Sequence, residues 1–228
     1  MTSQPDGLVS LQIRAHGSAI RVDAPEWSVP GLVAGLTDDA SVDRCSGDED
    51  LVADASVTVT ARDGTWTVSG VATTVSEPSG DDDRDRAEVL RRLCSEVHLA
   101  IAAHARDAVF IHAGAVAWRG IGVVIPGRSM AGKSTLVRAL VGAGATYFSD
   151  EYAVLGIDGR VFPYAKPVSI RSATGSVQIP GRAIGQVATD AVPVGVVIDT
   201  VHRAGATWAP THRSGATVTL PLVANAVA

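Results

Sequence analysis

The stretch Gly127 to Thr135, GRSMAGKST, restricts this chain more than any other, because Gly127, Gly132, Lys133 and Ser134 fit the spacing G-x-x-x-x-G-K-[ST]. Glycines at those places let the backbone turn with successive N–H groups pointing inward around an anion. The lysine brings a positive charge to the same point, and the Ser134 hydroxyl is an oxygen ligand suited to Mg2+. The candidate phosphate cradle is therefore the backbone of Gly127, Arg128, Ser129, Met130, Ala131, Gly132, Lys133, Ser134 and Thr135. Both flanks agree. Ile121 to Ile125 (IGVVI) is a short apolar run of buried-strand type, and Leu136, Val137, Leu140 and Val141 recur at helical spacing. Gly142 and Gly144 supply a helix stop. The bland alternative is a glycine-rich turn that matches by accident, and the strand before it and helix after it argue against that. In this order the helix N-terminus faces the anion and adds its own partial positive charge.

A chain of 228 residues with 46% hydrophobic content can bury a core as one large domain or two small ones. Its net charge of −5, with basic residues scattered, gives no footprint for nucleic acid or an anionic membrane surface. Two cysteines in unlike contexts, Cys45 in an acidic stretch and Cys94 in a helical pattern, do not make a disulfide framework. The opening residues lack a basic patch followed by an apolar segment, and no apolar run approaches membrane-spanning length. A cytoplasmic location with reduced thiols is the expectation.

Val9 to Val22 reads as two short strands around His16-Gly17, and Ser56 to Ala61 with Thr65 to Ser69 as a hairpin on Asp63-Gly64. The acidic end of Pro25 to Asp50 (DDASVDRCSGDED) reads as loop, and Ser76 to Asp85 as a linker or the lead-in to a helix. From Arg86 to about Ala105, Leu90, Leu93, Cys94, Val97 and Ile101 form one amphipathic stripe, with Asp81, Asp82 and Asp83 at its positive end. Cys94 on that stripe is a small core residue rather than a nucleophile.

Val109 to Trp118 is a strand that Arg119-Gly120 joins to the strand entering the glycine-rich loop. An antiparallel hairpin, not the usual βαβ crossover, is thus expected to feed the motif. Ala145 to Phe148 is a short strand ending at Ser149-Asp150-Glu151, which places two carboxylates at the sheet edge where phosphates would lie. Asp158-Gly159 turns between two further strands, and Val194 to Ile198 is another. HRAGAT at His202 to Thr207 recurs as HRSGAT at His212 to Thr217, read as paired strand or turn segments without a metal-ligand pattern. The organisation expected is a small β-rich module over 1–75, a linker and amphipathic helix over 76–107, and an α/β nucleotide-binding domain over 108–228.

The residues IHAGAVAWRGIGVVIPGRSMAGKS followed by YFSDEYAVL resemble the catalytic domain of HPr kinase/phosphorylase and the wider set of HPr-kinase-related proteins. His112 lies 21 positions before the loop lysine (133 − 112) and Asp150 lies 17 after it (150 − 133), as in that family. The likeness covers about Phe110 to Arg171. It implies an α/β P-loop domain of the HPr kinase and phosphoenolpyruvate carboxykinase type, with a mixed sheet and a hairpin entering the loop. It implies ATP and Mg2+ as cofactors, and a protein or peptide phosphoacceptor as partner, with self-association left open. Catalytic roles fall on Asp150 as base, Lys133 as charge balance and His112 near the phosphates, and metal roles on Ser134, Asp150 and Glu151. A satisfied core histidine and a turn-capping aspartate are the competing readings of His112 and Asp150. Lys166, Ser169 and Arg171 resemble a basic stretch of the same proteins, and a solvated face explains them nearly as well.

The chain departs from the family in having Asp150-Glu151 for paired aspartates, Thr135 for an acid after the loop serine, and Met130 for a common glycine. It also lacks the later arginine-containing segment associated with dephosphorylation, so phosphorylase activity is not expected. Two alternatives follow: a nucleotide-responsive binding module without phosphotransfer, and a simple ATPase. The absence of an Asn-Lys-x-Asp segment argues against a GTPase.

Overall fold

The computed structural model describes residues 7–37, 39–45, 52–62, 65–71, 74–78, 83–127, 131–166, 168–172, 175–200, 205, 207, 209–213 and 215–227. The chain divides into two units, Met1–Arg106 and Asp107–Val227. It is a mixed α/β protein with two mixed sheets and, among the described residues, four α-helices.

In the first unit, β1 (Leu8–Ala15) and β2 (Ser18–Pro25) form a hairpin whose turn residues both have positive φ, His16 at 48° and Gly17 at 74°. That geometry matches the right-handed twist of the strands on either side. After α1 (Val29–Gly35) come β3 (Ser41–Arg44), β4 (Ala55–Arg62), β5 (Thr65–Ser69) and β6 (Thr74–Pro78). The sheet order is β3-β1-β2-β4-β5-β6, antiparallel except for β2 beside β4. Ile20, Val22 and Ala24 are fully buried, while Arg21 and Asp23 alternate with them on the other face, as a sheet covered on one side requires. The cover is α2 (Asp83–His104), which packs on β2, β4 and β5 through Val89, Leu93, Val97, Ala100 and Ile101.

Several expectations change here. The helix assigned with its linker to 76–107 packs within the first unit. Of its expected stripe Leu93, Val97 and Ile101 are buried, whereas Leu90 and Cys94 are half-buried and face α1, where Gly31 and Gly35 leave room for them. His98 is buried beside them, its Nε2 3.0 Å from the Gly35 carbonyl. Ser41–Arg44 is a strand rather than loop, and Thr74–Pro78 is a strand rather than linker; both lie at the sheet's edges, where no apolar alternation is required. Asp63, Gly64, Asp81 and Asp82 lie outside the described residues, although Arg62 pairs directly with Thr65.

In the second unit β7 (Ala108–Trp118) and β8 (Ile121–Pro126) form a hairpin on Arg119 (φ 51°) and Gly120 (φ 79°), and β8 runs directly into Gly127. Helix α3 (Lys133–Gly142) follows, then β9 (Thr146–Ser149), β10 (Tyr152–Gly156), β11 (Arg160–Phe162) and β14 (Val192–Val197), with β12 (Val168–Ser172) and β13 (Gly175–Ile179) as a separate ribbon. The sheet order is β10-β11-β14-β8-β7-β9, and β10 pairs also with β7, so five strands close a ring of pairings. Alanines at 113, 115 and 117 with Ile111, Val124, Ala153 and Val161 fill one face. On the other, Val116, Val123 and Ile125 lie under Val137 and Val141 of α3. Both faces are therefore buried, which explains why β7 and β8 read as nearly continuous apolar runs.

In the repeated HRxGAT segments the glycine of each copy, Gly205 and Gly215, lies at a turn, and in the second copy Gly215 caps α4 (Ala216–Val223). In the first copy 202–204 and 206 lie outside the described residues. Among the described residues no helix is long and apolar enough to cross a membrane.

Candidate functional site

The site is built on the middle of β7. Gly127 continues the β7–β8 ladder by donating its N–H to the His112 carbonyl at 3.1 Å, and there the chain leaves the sheet. It returns at Gly132, the left-handed N-cap of α3 (φ 88°), where a side chain would be strained. Glycine supplies no capping oxygen, so the N–H groups of the first helical turn are left for another acceptor. The Lys133 ammonium folds back to donate to the Gly127 carbonyl at 2.6 Å, closing the loop across its base. Ala131, Lys133 and Ser134 are half-buried and Thr135 is exposed, while Arg128, Ser129 and Met130 lie outside the described residues.

Helix α3 sits directly on β7 because residue 114 is glycine. A Cβ there would lie 2.5 Å from Val137 Cγ2 and 3.8 Å from Lys133 Cβ. The opposite edge of β7 brings in the acids. Val116 pairs with Tyr147 and Ala115 with Ser149, leaving Phe148 as an extra residue, and the ladder resumes with Ala113 N–H donating to the Glu151 carbonyl at 3.1 Å. By that register Asp150 falls opposite Gly114. The Asp150–Glu151 link between β9 and β10 is tied by the buried Ser149 hydroxyl, which accepts from the N–H groups of Glu151 (3.3 Å) and Tyr152 (3.1 Å).

Asp150 accepts a hydrogen bond from Tyr147 Oη at 3.3 Å, and the Ser134 hydroxyl lies near enough to favour its charged form. Burial raises the Asp150 pKa and the neighbouring Glu151 charge adds to this; the Ser134 hydroxyl, the bond from Tyr147 and the charge of Lys166 offset only part. Tyr147, also buried, is pushed far up and stays a proton donor to that carboxylate. Burial lowers Lys133 despite the attraction of Glu151 and Asp150. Burial lowers His112 as well; Glu151 opposes this, while Lys133 and Lys166 reinforce it, so its imidazole is largely neutral at pH 7. Its ring lies 5.0 Å from that of Tyr152.

Glu151 is thus within electrostatic reach of His112, Lys133 and Asp150, and Asp150 within reach of Lys133 and the Ser134 hydroxyl. Lys166 joins them, its ammonium 2.6 Å from Glu151 Oε2 and 5.3 Å from the centre of the Tyr152 ring. Ser169 and Arg171 belong to β12, which pairs with β13 and not with the sheet that carries the acids. Gly114, Tyr147, Ser149 and Tyr152 are structural parts of the site that the motifs do not mark. Among the described residues no three His, Cys, Asp or Glu side chains gather as a metal site. A serine hydroxyl beside two carboxylates nonetheless suits Mg2+, which takes one or two carboxylates and completes its shell with water and phosphate oxygens.

No protein-family model, curated protein or solved structure matches this chain.

Proposed function

We propose that the second unit is an ATP- and Mg2+-dependent phosphotransferase acting on a serine, or a similar hydroxyl, of a protein or peptide. Its finer fold would be the HPr kinase and phosphoenolpyruvate carboxykinase type, acting in the cytoplasm. The observation that carries the reading is the convergence at Gly114: the β7 register sets Asp150, a carboxyl of raised basicity, opposite that glycine, and Lys133 at the start of α3 packs over the same position, though the two are 17 positions apart (150 − 133). A turn matching the pattern by chance would have no reason to bring in a half-buried acid from the link between two other strands.

In this reading the loop amides and the start of α3 bind the β- and γ-phosphates, with Lys133 turning from the Gly127 carbonyl to the terminal phosphate. Asp150 accepts the acceptor hydroxyl's proton as its oxygen bonds to the γ-phosphorus, and the bond to the bridging oxygen breaks to release ADP. A base of raised pKa is better matched to that task near neutral pH. Tyr147 and Ser149 hold the acid in place, and neutral His112 can donate a hydrogen bond to a phosphate oxygen. Mg2+, when bound through Ser134, Glu151 and Asp150, would supply charge neutralisation on the phosphates.

The test is incubation with labelled ATP and fractionated cell extract. Labelled acceptor is expected with the native protein and not with Asp150→Asn, which should still bind nucleotide. Binding without transfer to any acceptor would favour the nucleotide-responsive module, a reading that the Glu151 and Met130 departures motivate.

A further inference from the structure

The second basic group of the site bears on when the metal enters. Lys166 is no stray surface lysine. Its side chain is only 10% exposed, its backbone N–H donates to the Tyr164 carbonyl at 3.0 Å, and its ammonium rests over the Tyr152 ring. Glu151, its ion-pair partner, is 46% exposed. The lysine is therefore the fixed member and the glutamate the one with room to turn. In formal charge Lys133 and Lys166 balance Asp150 and Glu151, and His112 adds none when neutral. A naked divalent cation entering this set meets no net negative charge, and must take Glu151 from a cation already 2.6 Å away. Adding a nucleotide triphosphate reverses that balance.

We propose that Lys166 is an internal counter-ion that competes with the divalent cation for Glu151, so that the protein takes up metal together with nucleotide and hardly at all without it. The inference rests on the phosphotransferase reading for the identity of the metal site. It adds a positioning residue that the reading does not use, and a defined order of loading.

The test is titration with Mn2+, followed by the loss of the free ion's electron paramagnetic resonance signal, with and without ATP. Without nucleotide, Lys166→Met should bind Mn2+ about ten-fold or more tightly than the native protein, since Glu151 is no longer held by a competing cation. Lys166→Arg should match the native protein. In a Glu151→Gln background, Lys166→Met should change little, because the competed ligand is gone. Lys166→Gln serves should the methionine variant not fold. Equal or weaker Mn2+ binding on removing the lysine charge would overturn the proposal, as would equal tightening in the Glu151→Gln background or free Mn2+ binding as tight as with ATP. Failure of the native protein to take up ATP in the same titrations would instead count against the phosphotransferase reading, whatever the nucleotide-free comparison gives.

Discussion

Each unit contains a hairpin that turns on two residues of positive φ, His16-Gly17 in one and Arg119-Gly120 in the other, yet the strands that follow have different fates. In the first unit the β1–β2 ladder is regular from Leu8 opposite Pro25 down to the turn. In the second, β8 leaves the sheet at Gly127 and the opposing edge bulges at Phe148, so a helix start and a pair of acids converge over Gly114. The carboxylates record the same contrast. Burial would raise Asp39 in the first unit, but bonds from His16 and Thr37, the His16 charge and a backbone N–H hold it down at about 2. Asp150 has hydrogen-bond donors too, and its pKa still rises. An acid satisfied by its donors reads as structure; one kept more basic than its donors warrant reads as chemistry.

The sharpest way to break that contrast is to remove each acid. Asp150→Asn should lower the single-turnover rate of phosphotransfer by about 10²–10⁴-fold while ATP affinity stays within a few-fold, whereas Asp39→Asn should leave the rate unchanged. A comparable rate loss from both would erase the distinction.

Next in size is the floor of the site. Gly114→Val puts a side chain 2.5 Å from Val137 Cγ2, so α3 must shift or the strand must bend. The expected cost is about 1–3 kcal/mol in urea unfolding, with nucleotide affinity falling in parallel. Undiminished ATP binding would show that the seat of α3 on β7 does not position the loop.

The smallest effects concern stability against pH, where the two acids should act in opposite directions. Asp39 is depressed below 3.8, so its contribution is full above that value and is lost as pH falls toward about 2. Asp150 is raised above 3.8, so its contribution is full below that value and is lost as pH rises through its folded pKa. Thermal melts should therefore show Asp39→Asn destabilising the protein at pH 5–7, and Asp150→Asn modestly stabilising it there. Shifts of the same sign would contradict the assigned environments.

What the sequence made legible follows from where the physics is local. The strand, glycine loop and helix of 121–142 can be read from residues near one another, as can the turns at Arg119-Gly120 and Asp158-Gly159. Edge strands Ser41–Arg44 and Thr74–Pro78 escape notice because an edge need bury no alternating face. His98 escapes because its partner, the Gly35 carbonyl, is 63 positions away. Within the site, Lys133, Asp150 and His112 follow from motif and spacing, but the bulge that aims Asp150 depends on pairing with β7. Lys166 reads as one of a basic series until the fold sets it on Glu151.

The central claim is that the amides from Gly127 to Ser134 enclose a triphosphate with Lys133 as its fixed charge. Calorimetric titration of the native protein and of Lys133→Met with ATP in excess Mg2+ tests it most directly. One saturable site in the native protein, lost or weakened at least ten-fold in the variant, is the predicted result. No heat of binding to the native protein, or equal affinity in the two, would contradict it.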